Sequence, residues 1–131
     1  MASELAGRRI LIVEDSPVVA PFAEALLELL GCRVVGPAGN MAVARDLAGA
    51  EDVDAALLDV RIRGEKSFSI CEILDRRGVP FVLTSGYADW GLPSEWRDRP
   101  QLAKPYTQAD LEQALVQAIN GHDQDRPREA V

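Results

Sequence analysis

The side chains in this sequence that could do chemistry together are the carboxylates of Glu14, Asp15 and Asp59, the hydroxyl of Thr84 and the ammonium of Lys104. Asp59 lies in the stretch from Asp54 to Gly64, Asp-Ala-Ala-Leu-Leu-Asp-Val-Arg-Ile-Arg-Gly. The apolar run Ala55 to Leu58 is too short for a helix and is bounded by charge, so it reads as a buried strand that delivers Asp59 to its carboxyl end. Three carboxylates gathered there would repel by several kcal/mol per close pair at an effective dielectric of about 20, and they require a cation. Hard oxygen ligands with room for water and a phosphate suit Mg²⁺, with Asp15 and Asp59 as direct ligands and Glu14 acting through water. A carboxylate oxygen of Asp59 could then attack a phosphoryl group to form an aspartyl phosphate. Lys104 would offset charge on the phosphoryl oxygens and Thr84 would hydrogen-bond them.

Taken singly, each residue has a plainer explanation: an acid ending a strand, a threonine within one, a Lys-Pro loop. Their shared position at the ends of apolar runs favours a common site. Arg8 to Val13 is a β-branched run ending in Glu14-Asp15, Val79 to Thr84 a second with Pro80 near its start, and Gln101 to Ala103 a short one reaching Lys104. Cys32 to Val35, closed by Gly36-Pro37, makes a fifth strand.

Helical patterns separate these strands. After Pro21 the residues Phe22, Ala25, Leu26, Leu29 and Leu30 form an apolar face opposite Glu24 and Glu28, and Gly31 ends the helix. A second helix with Asn40 as cap carries Ala44, Leu47 and Ala48, and a third turns Ile70, Ile73 and Leu74 inward before Gly78. Ser85 to Pro100 breaks the alternation and supports at most one helical turn near Ser94 to Arg97. The last helix opens on a Thr107/Asp110 capping box and carries Leu111, Ala114, Leu115, Ala118 and Ile119. Strands alternating with helices predict an α/β fold, a doubly wound five-stranded parallel sheet with its strand ends on one edge.

A chain of 131 residues with 47% hydrophobic and 27% charged content is expected to form one globular domain. Residues 8–121 are expected to make up that domain, with 1–7 an N-terminal extension and 122–131, including the single His122, a disordered tail. No apolar segment approaches the ~20 residues of a membrane span and residues 1–7 lack a secretory core, which points to a cytoplasmic protein without a membrane partner. The net charge of −7 argues against a nucleic-acid partner. Cys32 and Cys71 lack metal-ligand spacing and read as small core hydrophobes, against a lesser alternative as redox sensors.

Glu14-Asp15, Asp59, Thr84 and Lys104-Pro105 resemble the constellation of the receiver domain of two-component response regulators, over residues 8 to 121. The resemblance implies a flavodoxin-like strand order 2-1-3-4-5, Asp59 as phosphoacceptor, and the backbone carbonyl of Arg61 as a further Mg²⁺ ligand beside Glu14, Asp15 and Asp59. It also implies Thr84 as switch hydroxyl, Lys104 as phosphate-pairing lysine and a cis Lys104-Pro105 bond. Pro80 to Tyr87 is similar to the signature of the stand-alone "FAT GUY" receivers. Alignment on Gly86-Tyr87 would make Ser85 the switch hydroxyl, whereas counting along the strand favours Thr84. The fourth helix of ordinary receivers corresponds to the irregular 85–100 segment and is expected to be short or missing, mobile without phosphate and more ordered with it. Trp90 and Trp96 within it are either anchors for a partner or covers for the sheet edge. The aromatic switch residue usual three positions before the lysine is Gln101 here, with Tyr87 or Tyr106 as substitutes.

The implied function is a non-enzymatic signalling switch, partnered by a sensor histidine kinase and a downstream protein and acting through a surface around residues 85–106. A phosphate sink and a non-phosphorylated pseudo-receiver are the alternatives. A dehalogenase-type phosphatase needs an acid where Arg61 stands, and a flavin site needs a phosphate loop where Glu14-Asp15 stand. Because the chain ends after one domain, no attached DNA-binding output is expected.

Overall fold

A computed structural model describes residues 4–86 and 91–125. Five parallel strands form the main sheet: β1 Arg9–Val13, β2 Arg33–Ala38, β3 Ala55–Asp59, β6 Phe81–Ser85 and β7 Gln101–Ala103. They lie in the order β2-β1-β3-β6-β7, the expected 2-1-3-4-5 when these five alone are counted. A two-stranded hairpin, β4 Arg61–Ile62 and β5 Glu65–Lys66, follows β3 directly. The helices are α1 Val19–Leu29, α2 Met41–Ala50, α3 Phe68–Arg76 and α4 Gln108–Asp125.

The sheet separates two cores, as the period-2 alternation of a strand buried on both faces requires. Leu11, Val13, Ala56, Leu58, Phe81 and Leu83 pack with α2 and α3 on one side. Ile10, Ile12, Ala55, Leu57, Val82 and Leu102 pack with α1 and α4 on the other. Leu5, in the stretch expected to be a mere extension, is fully buried in this second core, and Gly7 N donates to Gly31 O at 2.8 Å. Burying a leucine side chain stabilises by roughly 1.5–3 kcal/mol, so the segment before β1 contributes to the fold.

Helix α1 departs from expectation in start and facing. It begins at Val19 because the Ser16 hydroxyl accepts from the amides of Val18 and Val19, which leaves Pro21 in the first turn, where a missing N–H costs no helical bond. Ala20, Ala23, Leu26, Leu27 and Leu30 face inward. The expected inward residues Phe22, Ala25 and Leu29 instead face solvent; with Val18 at 76% and Leu29 at 72% exposure they form an outward apolar stripe. Both stripes are apolar, and the one carrying the small residues Ala20 and Ala23 is the one buried against the sheet.

Strand β2 does not stop at Val35 but continues to Ala38 through the cis Gly36-Pro37 bond and a register shift opposite Leu11 and Val13. Gly36 has φ +93°, and a Cβ there would come within 2.9 Å of Ala38 N and 3.0 Å of Ile12 O, so only glycine fits. The extension lets Ala38 O accept from Glu14 N at 3.0 Å, which anchors the backbone of the first acidic residue.

Helix caps follow the reading closely. Asn40 Oδ1 accepts from Val43 N at 2.9 Å, and Thr107 and Asp110 bond reciprocally at 3.1 Å. Among the described residues of the 85–100 segment the helical turn is a 3₁₀ helix at Ser94–Trp96. Trp96 is interior: it packs edge-on against Phe81 at 5.7 Å, and the Arg99 guanidinium lies over both rings. Among the described residues its indole N–H has no partner. Tyr87 and Trp90 lie outside the described residues. Helix α4 runs through Asp125, beyond the expected end at 121, and residues 126–131 are outside the described range.

Candidate functional site

Strands β1, β3 and β6 and the residue following β7 bring Glu14-Asp15, Asp59, Thr84 and Lys104 to one edge of the sheet. Lys104 Nζ donates to Asp59 Oδ2 at 2.8 Å and to Glu14 Oε1 at 3.0 Å. Glu14 Oε2 also accepts from Ser16 N at 3.1 Å, so both of its oxygens are engaged. Carboxylate oxygens of Glu14, Asp15 and Asp59 lie within 4.8 Å of one another. Glu14 and Asp59 are buried, and Asp15 is the more open of the three.

The electrostatics follow from that crowding. Burial and then the neighbouring Asp59 charge raise the Glu14 carboxyl above its ordinary value, against the opposing effect of Lys104. For Lys104, burial alone would lower the ammonium, but the hydrogen bonds to Asp59 and Glu14 outweigh it and hold it above the ordinary lysine value. Tyr106, buried after the cis Lys104-Pro105 bond and 6.1 Å from the Phe22 ring, is raised first by burial and then by the two acids. Three carboxylates against one ammonium leave an excess of two negative charges, which suits a divalent cation with oxygen ligands.

The β4–β5 hairpin supplies backbone contacts that sequence reasoning missed. Its turn residues Arg63 and Gly64 have φ +51° and +81°, as a two-residue turn of the I′ type requires. Arg63 N donates to Asp15 Oδ2 at 2.7 Å, and Arg61 N donates to Asp59 Oδ1 at 3.2 Å. The Arg63 guanidinium also reaches Gly39 O at 3.2 Å. Since Ser67 N bonds Val60 O, and bonded and non-bonded pairs alternate in an antiparallel ladder, the Arg61–Lys66 pair is a non-bonded one. The Arg61 carbonyl therefore lies outside the hairpin ladder, on the same edge as the amide that meets Asp59.

Thr84 pairs in register with Asp59, is 2% exposed, and by the pleat lies on the same sheet face. Ser85, also buried, follows on the opposite face, and its carbonyl accepts from Lys104 N at 2.9 Å. Gln101, standing where receivers usually carry an aromatic residue, is exposed, and its amide donates to Arg97 O at 3.2 Å, tying β7 to the 3₁₀ turn. Cys32 and Cys71 are both buried, one in each core.

Residues 10–116 match the family model of the response regulator receiver domain. The chain belongs to that family. This receiver domain is 40% identical to SdrG from Sphingomonas melonis, covering 87% of this chain and 97% of that one with a TM-score of 0.79. It is 30% identical to the receiver domain of the sensor histidine kinase PA1611 from Pseudomonas aeruginosa, solved with a magnesium ion in its active site cleft, with coverage of 88% and 99% and a TM-score of 0.75. It is also 30% identical to the phyllosphere-induced regulator PhyR of Methylorubrum extorquens, over 99% of this chain and 50% of PhyR. The transcriptional regulatory protein PdtaR of Mycobacterium tuberculosis is 29% identical over 86% of this chain and 57% of its own length. The chain thus spans about half the length of these two curated relatives. No helix among the described residues is long and apolar enough to cross a membrane.

Proposed function

We propose that this receiver domain accepts a phosphoryl group on Asp59 from a sensor histidine kinase, in the cytoplasm, and thereby changes the surface around residues 85–106 that a downstream protein binds. The observation that carries the reading is the convergence of Lys104 on Asp59 Oδ2 inside a three-carboxylate cluster. In the transfer, one Asp59 carboxylate oxygen forms a bond to phosphorus as the phosphorus–nitrogen bond of a phosphohistidine breaks. The electron pair returns to the imidazole nitrogen, which takes up a proton.

Asp15, Asp59 and the Arg61 carbonyl are the proposed direct Mg²⁺ ligands, with Glu14 acting through water. When bound, the ion neutralises the acidic excess and polarises the phosphoryl oxygens. Lys104 then exchanges its carboxylate partner for a phosphoryl oxygen, which is the change of contact that couples modification to β7 and the loop after it. Thr84 is the proposed hydroxyl that follows the phosphoryl group, with Ser85 as its rival. The net charge of −7 supports a protein partner over nucleic acid or a membrane surface.

The apolar stripe of Val18, Phe22, Ala25 and Leu29 starts three residues after Asp15 and is the surface assigned to the kinase. An amide NMR titration with beryllofluoride tests the reading. A stoichiometric adduct formed only with Mg²⁺ and shifting residues 59, 84, 85 and 101–106 supports it, and no adduct identifies a pseudo-receiver.

A further inference from the structure

Ser67 stands immediately before α3, where a serine hydroxyl ordinarily accepts from an amide of the first helical turn. It makes no such cap. The fully buried hydroxyl turns back and donates to the carbonyl oxygen of Asp59 at 2.5 Å, with Val60 O at 3.2 Å as a second acceptor. Ser67 N also donates to Val60 O at 2.8 Å, so one residue holds both carbonyls at the point where β3 passes into the hairpin.

We propose that Ser67 is a positioning residue for Asp59, a role that rests on the phosphoacceptor reading above. The bond fixes the peptide plane between Asp59 and Val60, and with it the direction in which the Asp59 side chain leaves the strand. Two contacts depend on that direction, Oδ2 to Lys104 at 2.8 Å and Oδ1 to Arg61 N at 3.2 Å. Without the hydroxyl the buried Asp59 carbonyl lacks this donor, and such a group gains by rotating toward another one. A displacement of about 1 Å at a reacting atom costs up to about 10²-fold in rate. The signal available in the sequence, a serine ahead of an apolar helical run, points to capping and hides this role.

The test compares the full chain with Ser67→Ala, Ser67→Cys, which fills the space but donates weakly, and Ser67→Thr, which keeps the hydroxyl. Phosphorylation by acetyl phosphate is followed at saturating Mg²⁺, well below each variant's melting temperature. The expected result is a maximal rate reduced about 10- to 100-fold in the Ala and Cys variants, with the half-saturating Mg²⁺ and phosphodonor concentrations nearly unchanged and the Thr variant closest to wild type. The metal-free Asp59 carboxyl-carbon and Arg61 amide resonances should move in the same two variants. A purely structural serine would lower melting temperature and leave the maximal rate at the wild-type value, which overturns the proposal. If wild type itself takes no phosphoryl group, the phosphoacceptor reading fails. The metal-free resonances then still decide the positioning: shifts in the Ala and Cys variants uphold it, and unchanged positions overturn it.

Discussion

Lys104 Nζ and Asp59 Oδ2 lie 2.8 Å apart although 45 residues separate them in the chain, and the same ammonium meets Glu14 Oε1 at 3.0 Å. The lysine is thus both the counter-charge of the acidic cluster and a competitor of any cation for Asp59. Lys104→Ala should bind Mg²⁺ roughly three- to tenfold more tightly, since a nearby positive charge is gone, while its phosphorylated form loses the coupled shifts in residues 101–106. Calorimetric Mg²⁺ titration of the two proteins checks this, and weaker binding by the variant would mean that Lys104 organises the ligands instead of competing with the ion.

Thr84 and Ser85 make opposite predictions. The register places Thr84 beside Asp59, so Thr84→Ala should leave the beryllofluoride adduct able to form but reduce its shifts at residues 101–106, whereas Ser85→Ala should retain them. The reverse pattern would assign the switch to Ser85.

The exposed α1 stripe should matter to the partner and not to the chemistry. Val18→Asp and Leu29→Asp change side chains that are 76% and 72% exposed, so each should change stability by less than about 1 kcal/mol and leave acetyl phosphate labelling intact. Transfer from the phosphorylated kinase should slow at least tenfold. Equal rates would place the docking surface elsewhere.

Burial pushes the Cys71 thiol up to about 12 and the Cys32 thiol up to about 11. Neither should react with a thiol reagent at pH 8 without unfolding. Because both folded values lie above the ordinary thiol value of 9.0, their contribution to stability is complete below pH 9 and is lost as pH rises through 11 to 12. Denaturation midpoints should therefore fall over that alkaline range, and fall less in Cys71→Ala after allowance for the cavity it leaves.

The five strands, the acids at the ends of β1 and β3, Thr84, Lys104 and the caps at Asn40 and Thr107/Asp110 were legible because short apolar runs end abruptly in polar residues, whereas the strand order followed from the receiver resemblance alone. The facing of α1 was not legible, because it carries two apolar stripes and the buried one includes the small residues Ala20 and Ala23, whose weak hydrophobic signal the pattern does not favour. Contacts made by backbone groups also left no trace in residue type. The Arg63 amide on Asp15, the Ile62–Glu65 hairpin pairing and the continuation of β2 past Gly36-Pro37 all depend on where the chain turns. Leu5 was missed because one leucine carries no periodicity.

The most direct test of the account is intact-mass measurement after exposure to acetyl phosphate, with and without Mg²⁺, on wild type and Asp59→Asn. The account predicts one added phosphoryl group on wild type, only with Mg²⁺, and none on the variant. An unmodified wild-type protein, or equal modification of Asp59→Asn, would contradict it.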